Sequence, residues 1–288
     1  MKAILLAGGQ DTQLAPLAHQ APKALLPVAN RPMVEYVLQH LRQNGIREIA
    51  LAVNGNYEVF WHVLGDGARL GIRITYSREH APRGTAGCLL PLADFIGNEP
   101  FLVIHGSLFL DANLRELGRS HRRGTATATV AVQTLPFSSR DWHPMELQVE
   151  ADSRVSGITL RRHSAKSPIR VPAGVYVFDR SVLSCIEPGV YCDIKEHLLP
   201  RLKKAGHSIA AAELPGYCRN VLDLKDYLSV NRDVLKGDVN GFQLEQEVAE
   251  GIWVGQGSQI SPMATLLGPV LIGRDCCADH DIFDRFRE

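Results

Sequence analysis

The sequence predicts an α/β fold: a mixed, mainly parallel sheet flanked by helices, followed by a short left-handed parallel β-helix segment. Three observations carry this. Short apolar runs of strand type alternate with stretches of helical period from Lys2 to Ile104, which implies crossover connections and parallel pairing. Glycine-containing turns punctuate these runs, as at Asn44-Gly45 and Gly65-Asp66-Gly67. From Val254 onward an apolar or small residue recurs every sixth position, at Val254, Ile260, Leu266, Ile272 and Ala278. In a β-helix each such hexapeptide forms one face of a triangular coil.

In order, Lys2–Leu6 is a short buried-looking strand, and Pro32–Asn44 carries Met33, Val37, Leu38 and Leu41 at helical spacing. Ile49–Val53 is β-branched and strand-like. Tyr57–Leu64 is a helix, Ile72–Tyr76 a strand, and a helix is expected after Gly84-Thr85-Ala86-Gly87 as far as about Phe95. Phe101–Ile104, Thr125–Gln133, Glu146–Leu160 with a turn at Asp152-Ser153, and Gly174–Phe178 complete the strands. Asp193–Ala205 ends in Arg201, Lys203 and Lys204, which suit a helix C-terminus, and Leu222–Leu235 is the last helix. Ligands of such a Rossmann-like sheet are expected at the carboxyl ends of its strands.

The predicted organisation is an α/β domain over 1–236, a linker over 237–252, a truncated hexapeptide-repeat segment over 253–278 and a charged tail over 279–288. A coil takes about eighteen residues, so this segment is too short to stand alone and must pack on the main domain or on another subunit. With 45% apolar and 22% charged residues the composition is that of a globular protein. Lys+Arg and Asp+Glu balance at 31 each, so no global field draws nucleic acid or an anionic membrane, and any anion site is local. No apolar run is long enough for a membrane span and the first strand is too short for a signal-peptide core, which reads as a cytoplasmic protein. The 6 cysteines form no CxxC pair and the 11 histidines no HxxxH, so structural thiols are expected and no zinc or redox motif is indicated.

LLAGG at Leu5–Gly9, PKALLPVANRPMVEYVL at Pro22–Leu38, RGTAG at Arg83–Gly87, AGVYVF at Ala173–Phe178, KDYLSVNRDVL at Lys225–Leu235 and ISPMATLLGPVLIG at Ile260–Gly273 together resemble the sugar-phosphate nucleotidyltransferase family. The likeness is to mannose-1-phosphate guanylyltransferases and glucose-1-phosphate thymidylyl- or uridylyltransferases, and it covers Met1 to about Asp275. It implies that a nucleoside triphosphate and a sugar 1-phosphate give a nucleotide-sugar and pyrophosphate, with Mg²⁺ as cofactor. Such chemistry depends on positioning and on neutralising charge. By the same resemblance, Leu6, Ala7, Gly8, Gly9, Asp11, Gly84, Thr85 and Ala86 fall at nucleotide-binding positions, Arg161 and Gly174 at sugar-binding positions, and Lys23 at a retained catalytic one.

The departures from the family pattern are concentrated at the chemistry. In the first turn the family's glycine is Asp11, whose charge ~4 Å from a phosphate would cost ~4 kcal/mol at an effective dielectric of ~20. The family's phosphate-gripping arginine is Gln13. Its two metal-binding aspartates are Ser107, in His105-Gly106-Ser107, and Asn220, in Arg219-Asn220-Val221. Mg²⁺ is held by carboxylates and substrate phosphates, which these neutral groups do not replace. Asp111 and Asp223 lie a few residues on and are the candidates to stand in. The sugar half departs too, at Trp142-His143-Pro144-Met145, at Leu160-Arg161-Arg162 and at Pro172. Lys23 also reads as a plain surface lysine, and Gly84–Gly87 equally as a tight turn into a helix.

Two functions follow from the resemblance. The first is a homologue impaired in catalysis, acting as a regulatory, scaffolding or nucleotide-sensing subunit. Its ligand would be a nucleotide or nucleotide-sugar, and its assembly a homo-oligomer or a hetero-oligomer with an active homologue. The second is an active nucleotidyltransferase making GDP-mannose or a similar nucleotide-sugar with a rearranged metal site. The concentration of losses at charged positions favours the first. A glycosyltransferase would want a DxD motif at a strand end, and the one DxD, Asp279–Asp281, falls in the tail.

Overall fold

The computed structural model describes residues 1–9, 14–15, 17, 21–55, 57–79, 81–135, 145–159, 169–239 and 244–279. Asp11, Gln13, residues 142–144, Arg161 and the tail beyond Asp279 lie outside the described residues. The chain opens with β1 (Ala3–Leu6), makes a 3-10 turn at Lys23–Leu25, and passes through a small hairpin of β2 (Pro27–Val28) and β3 (Arg31–Pro32) into α1 (Met33–Gln43). Then come β4 (Glu48–Asn54), α2 (Tyr57–Leu64), β5 (Arg73–Glu79), and the short helices α3 (Gly84–Gly87) and α4 (Ala93–Ile96). β6 (Phe101–His105), β7 (Leu108–Leu110), α5 (Leu114–Arg123), β8 (Ala128–Leu135), the hairpin of β9 (Glu146–Val149) and β10 (Val155–Thr159), and β11 (Ile169–Phe178) follow. A π-helical turn at Ile194–Leu198 leads into α6 (Leu199–Lys204), β12 (Ile209–Glu213), β13 (Cys218–Asn220) and α7 (Leu224–Leu235). Five short strands close the chain: β14 (Gln246–Ala249), β15 (Ile252–Val254), β16 (Gln259–Ile260), β17 (Val270–Ile272) and β18 (Cys277–Ala278).

The main sheet has 7 strands in the order β12-β8-β11-β6-β1-β4-β5. β1 is parallel to β4 and β6, β4 to β5, and β8 to β12, whereas β11 is antiparallel to both β6 and β8. The expected mixed, mainly parallel sheet is therefore present. Its two faces bury different side chains. Ala3, Leu5, Leu51, Leu102 and Ile104 pack on one side with Val34, Val37, Leu38 and Leu41 of α1. Ile4, Ala50, Phe101, Val103, Tyr176 and Phe178 pack on the other with Leu198, Leu199 and Leu202. This is why the central strands read as continuous apolar runs. A third cluster, with Leu26, Val28, Tyr36, Phe109, Val221 and Val230, seats α7 on the β2–β3 hairpin.

Three parts of the fold differ from the sequence reading. The helix expected to run from Gly84 to about Phe95 is broken into α3, a 3-10 turn at Leu90–Leu92 and α4. Pro91 lies in that turn, has no N–H to give and crowds the turn before it. α5 carries Leu114 and Leu117 as its only buried large apolar side chains among charged ones, too thin a stripe to announce a helix, although Asn113 caps it by accepting from the Glu116 N–H at 3.0 Å. β12 is Ile-Ala-Ala-Ala-Glu, whose small residues carry little strand preference.

At the C-terminal end, Ile252 lies opposite Val270 in the parallel pair β15–β17 and Gln259 opposite Cys277 in β16–β18, each partner 18 residues further along. Of the six-residue series, Ile272 and Ala278 are buried and Val254, Ile260 and Leu266 half-buried. The Asn30 side chain lies against Gly273, so this segment meets the body of the protein at the β2–β3 turn.

Candidate functional site

β1 marks the point where the strand order reverses, with β4 and β5 to one side and β6 to the other, and α/β sheets bind ligands outside the carboxyl ends of strands at such a point. A cavity of about 320 Å³ opens there, lined by Leu6, Gly8, Gly9, Ala52, Asn54, Glu79, Pro82, Gly84, Thr85, Cys88 and Tyr191. That size suits a small-molecule ligand, for which pockets of about 300–1,000 Å³ are usual. Five of the nucleotide positions expected from sequence, Leu6, Gly8, Gly9, Gly84 and Thr85, are among its walls. Ala7 and Ala86 are not. Both are buried, and their backbone N–H groups go to the carbonyls of Ala52 and Cys192.

Local geometry explains two of the glycines. Asn54, at the end of β4, donates through Nδ2 to the Gly8 carbonyl, and a Cβ on residue 8 would sit 2.6 Å from Asn54 Oδ1. Gly84 has φ +79°, and a Cβ there would sit 2.5 Å from the Cys192 carbonyl oxygen. Gly84–Gly87 is thus both a tight turn and a cavity wall. It is bolted to a segment distant in sequence: the Ala86 and Gly87 N–H groups donate to Cys192 O at 2.9 and 3.0 Å, and Thr85 Oγ1 donates to Asp193 Oδ2 at 2.7 Å while accepting from Ile194 N at 2.8 Å. Asp193 also caps the π-helical turn by accepting from the Lys195 and Glu196 N–H groups.

Beside the cavity, β6 ends in His105 and leads to Gly106 and Ser107. The Gly106 N–H donates to Leu6 O at 2.9 Å, and the Ala24 methyl packs against Gly106, which holds Lys23 on its 3-10 turn close by. Burial pushes the His105 imidazole down to about 4; the Lys195 charge and, less, that of Lys23 act the same way, against the pull of Asp193. Of these two cations the sequence reading named only Lys23. Gly174, φ +84°, lies in an irregular stretch of β11, where a Cβ would stand 3.1 Å from His105 Cδ2.

The two positions where the resemblance places metal-binding aspartates are brought together. Ser107 Oγ donates to Asn220 Oδ1 at 2.9 Å, and the Val221 N–H donates to Ser107 O at 3.1 Å, as β13 pairs antiparallel with β7. Neither group is charged. The candidate substitutes are occupied elsewhere: Asp111 Oδ1 accepts from the Tyr217 N–H at 2.6 Å, and Asp223 caps α7 by accepting from the Asp226 N–H at 2.8 Å. Among the described residues no group of three or more His, Cys, Asp or Glu is gathered to hold a metal ion, and no helix is long and apolar enough to cross a membrane.

Residues 2–237 match the family model described as nucleotidyl transferase. The chain belongs to the sugar-phosphate nucleotidyltransferase family. Among its relatives, a glucose-1-phosphate thymidylyltransferase of Streptomyces antibioticus is 30% identical over 281 residues, covering 95% of this chain and 78% of that protein. A mannose-1-phosphate guanylyltransferase of Mycobacterium tuberculosis is 28% identical over 275 residues, covering 94% and 75%. In fold, it is similar to a Bacillus anthracis structure described as a glucose-1-phosphate thymidylyltransferase with a sucrose, at a TM-score of 0.72 and 24% identity over 85% of this chain and 98% of that one.

Sequence reasoning missed Asn54, Glu79, Cys88, Tyr191 and Lys195. For Asn54 a signal was present, since it directly follows the apolar run Ile49–Val53 at the carboxyl end of a parallel strand, whereas Glu79 follows Ser77 and Arg78 and has no such mark. Tyr191 reaches the cavity wall from a loop far along the chain, and Lys195 is felt only as a charge at His105, each with no local signal.

Proposed function

We propose that this chain is a catalytically impaired nucleotidyltransferase homologue that keeps the nucleotide-holding cavity and acts as a nucleotide- or nucleotide-sugar-sensing, regulatory or scaffolding subunit. The Ser107–Asn220 hydrogen bond carries the reading. Two neutral groups satisfy each other where two carboxylates would be needed to fix a divalent cation against the phosphates. Mg²⁺ does not fit this donor set, so no catalytic step is routed through it. Losing two transition-state contacts of about 3 kcal/mol each slows a reaction by roughly 10⁴-fold. In the same reading, 253–278 is a truncated β-helix whose open edges are covered in a homo-oligomer or by an active homologue.

The test is pyrophosphate release from the purified chain with Mg²⁺, each nucleoside triphosphate and mannose or glucose 1-phosphate, with binding followed by calorimetry. Nucleotide binding without turnover is expected. Turnover in the ordinary range of ~1–10³ s⁻¹ overturns the reading and favours an active enzyme with a rearranged metal site. In the double variant Ser107→Asp with Asn220→Asp, two carboxylates would face each other at this hydrogen-bonding distance. Mg²⁺ is expected to raise its melting temperature by several degrees while leaving that of the parent unchanged.

A further inference from the structure

The two edges of the main sheet differ. Along β12 the edge is covered, since the Ala211 N–H donates to Ser153 O at 2.8 Å and Arg154, in the β9–β10 turn, bridges to Ala210. β5 is the other edge. Its Arg73 N–H donates inward to Arg47 O and its Ile74 N–H outward to Asp66 O, both at 2.8 Å. Backbone groups alternate in direction along a strand, so Thr75, Ser77 and Glu79 turn theirs towards β4, whereas Tyr76 and Arg78 turn theirs outward. Those outward groups have no backbone partner among the described residues.

The side chains beside this open stretch are aromatic. The Tyr76 hydroxyl donates to Gly65 O at 2.7 Å, and its ring centroid lies 5.1 Å from that of Tyr57 and 5.5 Å from that of Trp61. Trp61, on α2, is nevertheless 46% exposed. Arg78, on the same face of the strand as Tyr76, meets Glu58 of α2 at 3.3 Å. Free backbone groups beside an exposed tryptophan make this edge a template for another strand.

We propose that β5 pairs antiparallel with β5 of a second copy of this chain, across a two-fold axis at Ser77. The surface is separate from the cavity chemistry and stands whether or not the chain is catalytic. Its register follows from which groups are free. In an antiparallel pair, residues directly opposite exchange both N–H···O bonds. With Tyr76 opposite the partner's Arg78, and Arg78 opposite the partner's Tyr76, the outward groups of both residues are used on both copies. Each guanidinium then stands beside the partner's Tyr76 and Trp61 rings, where an aromatic face attracts a cation, and Trp61 loses its solvent. Sliding by two residues either way fails. Tyr76 on the partner's Tyr76 would set Arg78 against an Ile74 N–H that Asp66 O already takes, and Arg78 on the partner's Arg78 would oppose like charges. The edge is thus complementary to itself, cation to ring, which is what a two-fold interface requires and why a second copy fits it.

On the axis, Ser77 faces the partner's Ser77 with Cα atoms about 4.5 Å apart, within reach of a disulfide. Thr75 stands opposite the partner's Glu79, so the two Thr75 residues are roughly 14 Å apart, beyond that reach. The experiment is oxidation of the full chain at micromolar concentration with oxidised glutathione, comparing Ser77→Cys, Thr75→Cys and the parent, whose own cysteines set the background. Ser77→Cys is expected to give a covalent dimer on non-reducing gels roughly tenfold faster than Thr75→Cys. Arg78→Pro removes an outward N–H that no described residue uses, a change an edge strand tolerates; in sedimentation it should weaken the dimer by roughly tenfold with the circular dichroism unchanged. Added to Ser77→Cys, it should abolish the faster cross-linking. Equal rates for the two cysteine variants overturn the inference, as does a parent that stays monomeric at micromolar concentration. A dimer undiminished in Arg78→Pro overturns it too and assigns the association to another surface.

Discussion

Glu79 lowers stability by standing buried with one carboxylate oxygen unpaired among the described residues. Its folded carboxyl is raised by burial, so the folded state holds its proton more tightly than the unfolded state does. Below the ordinary glutamate value of about 4.3 both states are protonated and the penalty is absent; as pH rises from there towards the raised folded value, the unfolded state ionises while the folded one keeps its proton, and stability falls until both are ionised. Glu79→Gln is therefore expected to match the parent in acid and to exceed it at pH 7 by on the order of 1 kcal/mol without ligand. Parallel melting curves from pH 3.5 to 8 check this, and a difference that stays constant with pH would contradict it. Ser107 and Asn220 make the opposite case. Each has a partner, and their residue types already announced the loss of charge that the hydrogen bond between them makes concrete.

At the scale of elements, the turn at α3 and the segment from Cys192 to Asp193 act as one unit. Hydrogen bonds run from Ala86 and Gly87 to the Cys192 carbonyl, from Thr85 to Asp193, from Cys192 back to the Arg83 carbonyl and from the adjoining Ile194 to Thr85, and Gly84 fits only because it lacks a side chain. Gly84→Ala would set a Cβ against the Cys192 carbonyl in a backbone conformation at φ +79° that side chains disfavour. A loss of roughly 1–3 kcal/mol is expected in thermal denaturation, with nucleotide binding weakened because Tyr191 and Thr85 move with the turn. A variant with the parent's melting temperature would show that the turn yields independently. Arg83–Gly87 was legible as a glycine turn opening a helix. Its clamp was not, because Cys192 is over a hundred residues away and nothing in either segment names the other.

Across the whole molecule, large apolar side chains left in solvent cluster late in the chain. Leu222, Leu224 and Leu228 are exposed at and along α7, Val248 on β14, and Met263, 85% exposed, and Leu267 in the connection between β16 and β17. Together with the unpaired edges of those strands, they lead us to expect association. Light scattering at micromolar concentration should give a mass above one chain, and a strict monomer would contradict this.

The sequence by itself determined the sheet and the neutral side chains at two positions where the family resemblance places carboxylates. Runs such as Ala3–Leu6 and Phe101–His105 are apolar on both faces, which only a covered central strand tolerates, and residue type alone shows that Ser107 and Asn220 carry no charge. Tertiary structure decided what meets what. It brought Asn220 onto Ser107 across 113 positions of chain, broke the helix at Pro91, assigned Asp111 and Asp223 to a turn and a cap, and left Glu79 buried with one oxygen unmatched. The physical reason is the same in each case. Periodicity and residue type are local properties, whereas burial and hydrogen-bond satisfaction belong to pairs of segments and exist only once distant parts of the chain have packed.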